Sequence, residues 1–194
     1  LPSWRAALDA EIKTARASSR QVWLIGHSMG ATLALDGVAR GCDVEGVVLV
    51  TPLIEVSGKR SILLPPRRWF DVGQHLWSEK TLIETAFPVD IHDPVPGMDE
   101  KRDLYLPVAA YREMFAAVDR IAGRADAVRC PVLMAVATRD LVVDSGAAVS
   151  YFEVLAAPRK QLMVMPDSGH VLPMDRGWRE LVCAVDEFVQ GGKY

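Results

Sequence analysis

Short runs of apolar residues alternate along the chain with longer stretches in which apolar residues recur every three or four positions. The short runs predict buried β-strands at residues 22–26, 47–50, 131–137 and 161–165. The longer stretches predict amphipathic helices at about 2–17, 29–40, 145–156 and 175–190. Strands that alternate with helices in this way indicate βαβ units, and therefore an α/β fold with a parallel sheet.

A long insertion, residues 55–127, separates the second predicted strand from the third. It is too long for a connection without structure of its own, so we expect it to fold as a cap, or lid, on the sheet. One helix within it is predicted by apolar residues at helical spacing, namely Val108, Tyr111, Phe115 and Val118. The remaining residues, 1–54 and 128–194, are predicted to form the α/β core.

The composition is that of a globular domain, and it argues against nucleic acid as a partner and against a membrane-spanning segment. Half of the 194 residues are apolar and the formal net charge is −3, which suits one domain with a substantial core. No basic cluster is dense enough to predict nucleic-acid binding, and no apolar run has the length of a membrane span. The cysteines, Cys42, Cys130 and Cys183, are widely spaced, which predicts buried free thiols and a cytoplasmic location unless a signal peptide precedes Leu1.

The first predicted strand is joined to the next helix by the sequence Gly26-His27-Ser28-Met29-Gly30. Glycine lacks a Cβ atom, so a glycine on each side of the serine lets strand and helix approach closely around a sharp turn. The serine would then have strained backbone geometry, and its hydroxyl group would lie at a helix N-terminus that stabilises developing negative charge. A strand, this motif and a helix in succession predict a nucleophile elbow; an ordinary turn is the alternative.

Two further residues lie just beyond the C-terminal ends of predicted strands. Asp140 follows the strand at 131–137, and His170 follows the strand at 161–165. Ligands bind at this edge in open α/β sheets. Ser28, Asp140 and His170 therefore predict a catalytic triad in the chain order nucleophile, acid, base.

Other residues compete with these predicted roles. Asp144 lies close to Asp140 but precedes a predicted helix, where it suits the N-cap position. Asp167 precedes the predicted base by three residues, and we expect it to serve the turn. His75 and His92 in the insertion are predicted to be structural or exposed. No cysteine, histidine and carboxylate cluster has metal-site spacing, so no metal is predicted. No other cofactor is predicted either, because the predicted triad does its chemistry alone.

These motifs resemble the α/β-hydrolase superfamily, and within it the branch of monoacylglycerol lipases and small bacterial carboxylesterases. The resemblance is carried by residues 26–30, 139–144 and 168–172, and by the acidic residue Asp175. It implies an α/β-hydrolase fold with the insertion as its cap. It covers most of the chain outside that insertion.

The resemblance also implies a reaction, the hydrolysis of a small-molecule carboxylic ester through an acyl-enzyme. Ser28 would attack the acyl carbonyl, His170 would transfer the proton, and Asp140 would orient the imidazole. The backbone N–H of Met29 would donate to the oxyanion. Hydrolysis of amides or peptides by the same triad is one alternative, and a non-catalytic binding protein of the same fold is another.

In this superfamily an insertion at this position covers the active site, so the resemblance implies that the cap lines the substrate pocket. The candidates for pocket walls are the apolar residues Leu63, Leu64, Trp69, Phe70, Trp77 and Phe87. For each of them, packing of the cap on the sheet is the alternative. His27, inside the elbow, is expected to lie beside the site.

Members of the superfamily carry further strands before the elbow strand, together with a loop that gives the oxyanion a second N–H. In this sequence Trp4, Leu8 and Ile12 instead predict a helix that packs on the sheet directly before that strand. We therefore expect the elbow strand to be an exposed edge. That edge predicts poor folding or self-association unless a missing N-terminal segment or another chain covers it, and the absent loop predicts weak turnover.

Overall fold

The computed structural model describes residues 4–59, 65–84, 89–96 and 105–191. The α-helices and strands of these residues follow one another as α1 (Trp4–Ser18), β1 (Trp23–His27), α2 (Met29–Ala39), β2 (Gly46–Val50), α3 (Pro66–Gly73), β3 (Leu82–Glu84), β4 (Tyr105–Pro107), α4 (Val108–Ile121), β5 (Val132–Ala137), α5 (Ser145–Glu153), β6 (Lys160–Met165) and α6 (Trp178–Val189). All the predicted core elements are present, with ends shifted by a few residues.

A parallel sheet of four strands forms the centre of the described fold, in the order β1-β2-β5-β6. One face of the sheet packs against α2, α4 and α5 through residues that include Leu35, Ile121 and Phe152. The other face packs against α6 through Leu181 and Phe188. Because helices cover both faces, every residue of β2 and β5 is buried. The predicted α/β class with a parallel sheet is confirmed.

The first and last helices show details that the sequence did not predict. α1 lies against α2, where the side chain of Leu8 covers Gly37; its packing on the sheet stays a prediction. The last helix begins at Trp178, since Gly177 has a φ of 78° and interrupts the helix before it. Val182 lies four residues after Trp178 and one after Leu181, a spacing that predicts the apolar face of this helix, but the residue is 55% exposed.

The insertion contains more regular structure than the sequence predicted. The predicted helix is present as α4, but α3 and the antiparallel pair of β3 and β4 were not predicted. Three buried side chains form a small apolar cluster here, Phe70 of α3 with Val108 and Phe115 of α4. The division of the chain into core and cap at residues 54/55 and 127/128 stays a prediction.

The elbow strand lies at one edge of the sheet. Among the described residues β1 pairs with β2 alone, and Ile25 in the middle of β1 is exposed. The edge position follows the expectation, whereas self-association through it stays a prediction. No described helix is long and apolar enough to cross a membrane.

The three cysteines are free thiols, as predicted. Their predicted burial is wrong, however, because Cys183 is exposed and both Cys42 and Cys130 are only half-buried. Cys183 lies on α6, whose apolar stripe faces the sheet through other residues of the helix.

A buried carboxylate joins three helices on the α2 side of the sheet. Asp36 of α2 is fully buried, and it accepts hydrogen bonds of 2.6 and 2.5 Å from Arg5 of α1. Arg40 lies 3.3 Å from the same carboxylate, and Arg120 of α4 lies 3.8 Å from it. Burial alone would raise the pKa of Asp36, but the hydrogen bond from Arg5 and the charges of the three arginines hold that pKa below its ordinary value.

We expect Asp36→Asn to lower the free energy of unfolding by about 3 kcal/mol, because it leaves three arginines facing a neutral side chain. The pKa of Asp36 is lowered in the folded state. Its contribution is therefore complete above roughly pH 4 and is lost as the pH falls through the folded-state pKa. Urea denaturation of both proteins at neutral and acidic pH tests this, and an equal gap at both pH values would contradict it.

Candidate active site

The turn between β1 and α2 holds Ser28 in strained backbone geometry. Its φ of 55° and ψ of −121° lie in a region that non-glycine residues rarely adopt, at a cost of about 1–3 kcal/mol. The amide of Ser28 donates to the carbonyl of Val50 over 2.9 Å, and its own carbonyl accepts from the amides of Ala31 and Leu53. These bonds from both sides fix the strained turn, as the elbow prediction requires.

The two glycines of the motif differ in what they allow. A Cβ atom at Gly26 would lie 2.5 Å from the carbonyl oxygen of Gly30 and 2.6 Å from the amide nitrogen of Ala31. A Cβ atom at Gly30 would meet no atom within 4 Å. The close approach of strand and helix therefore depends on Gly26 alone, and the expectation that Gly30 also serves it is wrong.

Ser28, His170 and Asp140 come together at the C-terminal edge of the sheet. The Nε2 atom of His170 lies 2.8 Å from Oγ of Ser28, and its Nδ1 atom lies 2.8 Å from Oδ2 of Asp140. Asp140 is fully buried and His170 is nearly so. Because the carboxylate accepts the Nδ1 proton, Nε2 is left unprotonated and accepts the serine hydroxyl.

The carboxylate of Asp140 is held by the loop that carries it. Its second oxygen, Oδ1, accepts 2.8 Å hydrogen bonds from the amides of Val142 and Val143. The Nζ atom of Lys59 donates to the carbonyl oxygen of Asp140 over 2.9 Å. Both carboxylate oxygens are therefore satisfied, as a buried charge requires.

The backbone of His170 is fixed by two side chains. Its carbonyl oxygen lies 3.0 Å from Nε2 of His27 and accepts a 3.0 Å hydrogen bond from Oγ1 of Thr51. The rings of His27 and His170 also contact each other, with centroids 4.9 Å apart. His27 therefore lies beside the site, as expected. Thr51 was not predicted, although its position directly after β2 at the same edge was a usable signal.

Nε2 of His27 donates to the carbonyl oxygen of His170, because a carbonyl oxygen only accepts. Burial lowers the pKa of His27, and so does the nearby His170, while the hydrogen bond to the His170 carbonyl and the charge of Asp140 only partly oppose this.

A lowered pKa of His27 means that the unfolded chain takes up this proton first as the solution is acidified. We therefore expect the free energy of unfolding to fall as the pH drops below about 6.5, by at most about 1.4 kcal/mol per pH unit from this residue. His27→Gln keeps a donor but does not titrate, so its stability should decline less between pH 7.5 and 5.5. Equal slopes for the two proteins in urea titrations would contradict this prediction.

The competing carboxylates lie in other surroundings. Asp144 is the N-cap of α5, where its side chain accepts from the amide of Ala147 over 3.0 Å. Asp167 has a φ of 56° in the turn after β6 and forms an exposed 2.8 Å ion pair with Arg139. Both positions agree with the structural roles that the sequence suggested, a helix cap and a turn. His75 and His92 are exposed, also as expected.

The residues predicted as pocket walls have diverse surroundings. Trp69 and Trp77 are 50% and 40% exposed, whereas Phe70 is buried against Tyr111 and Phe115 within the insertion. Leu63, Leu64 and Phe87 lie outside the described residues. The role of all six in substrate binding stays a prediction.

Met29 is the first residue of α2. The first N–H groups of a helix have no acceptor within that helix, so they are available to an anion at its N-terminus. Its role as an oxyanion donor stays a prediction. Among the described residues no group of three or more histidine, cysteine and acidic side chains is arranged to hold a metal ion.

Two buried carboxylates near the triad, Asp90 and Asp175, have positions that sequence reasoning did not find. Asp90 accepts from backbone amides of the loops that carry Asp140 and His170. Asp175 was noticed in the sequence only as part of a motif. It accepts from the amides of Gly169 and Arg176, on either side of His170 in the chain, and from the amide of His92. The one sequence signal for Asp90 is an aspartate between two apolar residues, Val89 and Ile91.

Comparison with known proteins places this geometry in context. A family model described as serine aminopeptidase, S33, matches residues 6–177. Phospholipase YtpA of Bacillus subtilis is 24% identical over 164 residues, which are 79% of this chain and 61% of the phospholipase. The chain thus spans about three fifths of the length of this relative.

Solved structures resemble the chain over nearly its whole length. A monoacylglycerol lipase from Paleococcus ferrophilus has a TM-score of 0.80 at 19% identity, and the match covers 96% of this chain and 74% of the lipase. A soluble variant of monoglyceride lipase from Saccharomyces cerevisiae has a TM-score of 0.77 at 13% identity, covering 98% of this chain and 68% of that one. These likenesses confirm the α/β-hydrolase fold.

Proposed function

The chain belongs to the serine aminopeptidase S33 family, and from this premise we propose that it is a serine hydrolase that cleaves carboxylic esters. The observation that carries the proposal is a pair of 2.8 Å hydrogen-bond distances. One joins Ser28 Oγ to Nε2 of His170, and the other joins Nδ1 of His170 to Oδ2 of Asp140. A strained serine with its hydroxyl directed at a buried histidine is costly to maintain, and such strain is typical of a reacting group.

Acylation begins with Ser28 Oγ, which attacks the acyl carbonyl as Nε2 of His170 takes its proton. The N–H of Met29 stabilises the oxyanion that forms on the carbonyl oxygen. The imidazolium returns the proton to the leaving alcohol oxygen as the carbon–oxygen bond breaks. The same imidazole then takes a proton from the water that attacks the acyl-enzyme, and it returns this proton to Ser28 Oγ as the bond between the acyl carbon and Oγ breaks and the acid leaves.

Asp140 stabilises the imidazolium in both steps and keeps the ring in one orientation. It can do so because it is fully buried and its second oxygen is already held by Val142 and Val143. A charge removed from water acts more strongly on its partner than an exposed charge does. No step of this mechanism uses a cofactor.

A small-molecule ester with an apolar acyl chain is the substrate class that we favour. Proteins that resemble the chain are named as a phospholipase, a monoacylglycerol lipase and a monoglyceride lipase. Aromatic residues of the insertion, Trp69 and Trp77 among them, supply apolar surface for such a chain. The cytoplasmic location stays a prediction.

Hydrolysis of an amino-acid amide is the second candidate, favoured by the family description as a serine aminopeptidase. The triad itself does not distinguish an ester from an amide. An aminopeptidase also recognises the free amino group of its substrate, and so it would cleave amino-acid anilides faster than esters of matched size.

Hydrolysis of p-nitrophenyl esters from acetate to laurate, compared with that of amino-acid p-nitroanilides, tests both candidates. We expect ester turnover that Ser28→Ala abolishes, with an optimum acyl length that measures the pocket. Stoichiometric labelling of Ser28 by a fluorophosphonate reports an activated serine independently of the substrate chosen.

Three outcomes separate the alternatives. Faster cleavage of the anilides would favour the aminopeptidase over the esterase. Turnover that persists in Ser28→Ala would remove this serine as the nucleophile. A folded protein that neither turns over esters nor reacts with the fluorophosphonate would favour a non-catalytic binding protein.

A further inference from the structure

A short segment of the insertion, residues 89–96, runs alongside the loop that carries His170. The amide of Val171 donates to the carbonyl oxygen of Asp90 over 3.2 Å, and the amide of Val95 donates to the carbonyl of Met174 over 3.0 Å. The backbone of this segment is therefore joined to the base loop at two points.

The side chain of Asp90 connects that segment to both triad loops through one atom. Oδ2 accepts a 2.7 Å hydrogen bond from the amide of Leu141, the residue after Asp140, and a 3.1 Å bond from the amide of His170 itself. Oδ1 lies 3.9 Å from Nε2 of His92. Asp90 is 5% exposed, so these two backbone donors have little access to water in place of the carboxylate.

A second carboxylate, that of Asp175, also anchors this segment. Fully buried Asp175 accepts from the amides of His92 and Asp93 at 3.0 and 2.8 Å. It also accepts from Gly169, one residue before the base, at 2.7 Å. Burial would raise the pKa of Asp175, but these backbone hydrogen bonds hold it below its ordinary value. The carboxylate therefore remains charged while it orders the segment that presents Asp90.

Gly169 allows the backbone of the loop that carries His170 to approach the backbone of residues 89–96 closely. A Cβ atom there would overlap the carbonyl oxygen of Asp90 and would lie 2.8 Å from its carbonyl carbon. A side chain at this position therefore pushes Asp90 away from the base loop. Gly169 gives a second, independent way to disturb the same contact without touching the carboxylate.

We propose that Asp90 is a positioning residue of the triad, and that it sets the separation of Asp140 and His170 by binding the backbone of both loops. This inference rests on the proposed function. The Nδ1 to Oδ2 distance of 2.8 Å depends on two loops that follow different strands, β5 and β6. Asp90 joins these loops through their backbone, and it comes from the insertion, so the geometry of the triad is coupled to the folding of residues 89–96.

The test uses Asp90→Ala, Asp90→Asn and Gly169→Ala in the full chain. Asp90→Ala removes the acceptor, so we expect kcat to fall about 100-fold with little change in KM. Asp90→Asn keeps an oxygen that can accept both amides and should retain a kcat near that of the wild type. Gly169→Ala should resemble Asp90→Ala, and the double variant should be no worse than the more impaired single variant, because both changes remove one constraint.

The control for general destabilisation is Asp36→Asn, which also alters a buried carboxylate, but one whose partners are arginines of α1, α4 and the end of α2. All variants are compared at a temperature where circular dichroism shows them folded. A wild-type kcat in Asp90→Ala would overturn the proposal. So would an equal loss in Asp36→Asn, or losses in Asp90→Ala and Gly169→Ala that multiply in the double variant.

A spectroscopic readout separates this inference from the proposed function. The proton between His170 Nδ1 and Asp140 gives a downfield proton resonance in a folded protein whether or not an ester is hydrolysed. We expect it in the wild type, Asp90→Asn and Asp36→Asn, and its loss or shift in Asp90→Ala. An inactive wild type with this pattern would reject the ester hydrolase and retain the role of Asp90. An unchanged resonance in Asp90→Ala would reject that role.

Discussion

Asp140→Asn is expected to lower kcat about 10,000-fold while the protein remains folded. The amide oxygen can still accept from Val142 and Val143, as Oδ1 does now at 2.8 Å. The amide nitrogen then faces Nδ1 of His170, which must become an acceptor, so the proton moves to Nε2. A protonated Nε2 cannot take the proton of Ser28. Steady-state kinetics with the best p-nitrophenyl ester, together with the rate of fluorophosphonate labelling, measures the loss.

Asp144→Asn is the matched control, four residues along the same loop. Its side chain caps α5 by accepting from the amide of Ala147, and asparagine caps a helix about as well as aspartate. We expect unchanged kcat and a change in the free energy of unfolding within about 0.5 kcal/mol. A large loss of turnover in Asp144→Asn, with little in Asp140→Asn, would reverse the assignment of the acid.

The meeting of Ser28, Asp140 and His170 could be predicted because each of them lies shortly after a strand with a clear sequence pattern. The apolar runs that become β1, β5 and β6 set the edge of the sheet, and the parallel order brings their C-terminal ends together. The elbow was recognised from its two glycines, although only Gly26 is sterically required. The rule that both glycines of the motif allow the close approach of strand and helix holds for Gly26 but not for Gly30.

The support around the triad could not be predicted in the same way. Asp90 lies 50 residues before Asp140 in the chain and reaches it only because the insertion folds back over the edge of the sheet. Its partners are backbone amides, which leave no trace in the sequence of either loop. The packing of α1 on α2 was missed for a related reason, since an apolar stripe predicts a buried face but does not identify what covers it.

Gly26→Ala is expected to be the most damaging single change at the elbow. The added methyl group would lie 2.5 Å from the Gly30 carbonyl and 2.6 Å from the backbone of Ala31. These are backbone atoms at the start of α2, so relief requires the helix to move away from β1. We expect a loss of about 3 kcal/mol in the free energy of unfolding. We also expect kcat to fall about 100-fold or more in the molecules that fold, because Ser28 moves with the helix.

Gly30→Ala separates this steric argument from a general need for glycine in the motif. A Cβ atom at position 30 meets no atom within 4 Å, and the residue lies in the first turn of α2. Alanine is favoured over glycine in a helix by up to about 1 kcal/mol, so the free energy of unfolding should be unchanged or slightly higher. Thermal and urea denaturation of the two variants side by side decides the matter. Equal damage from both substitutions would show that the motif needs glycine for backbone conformation, and that the contact across Gly26 does not set the geometry of the elbow.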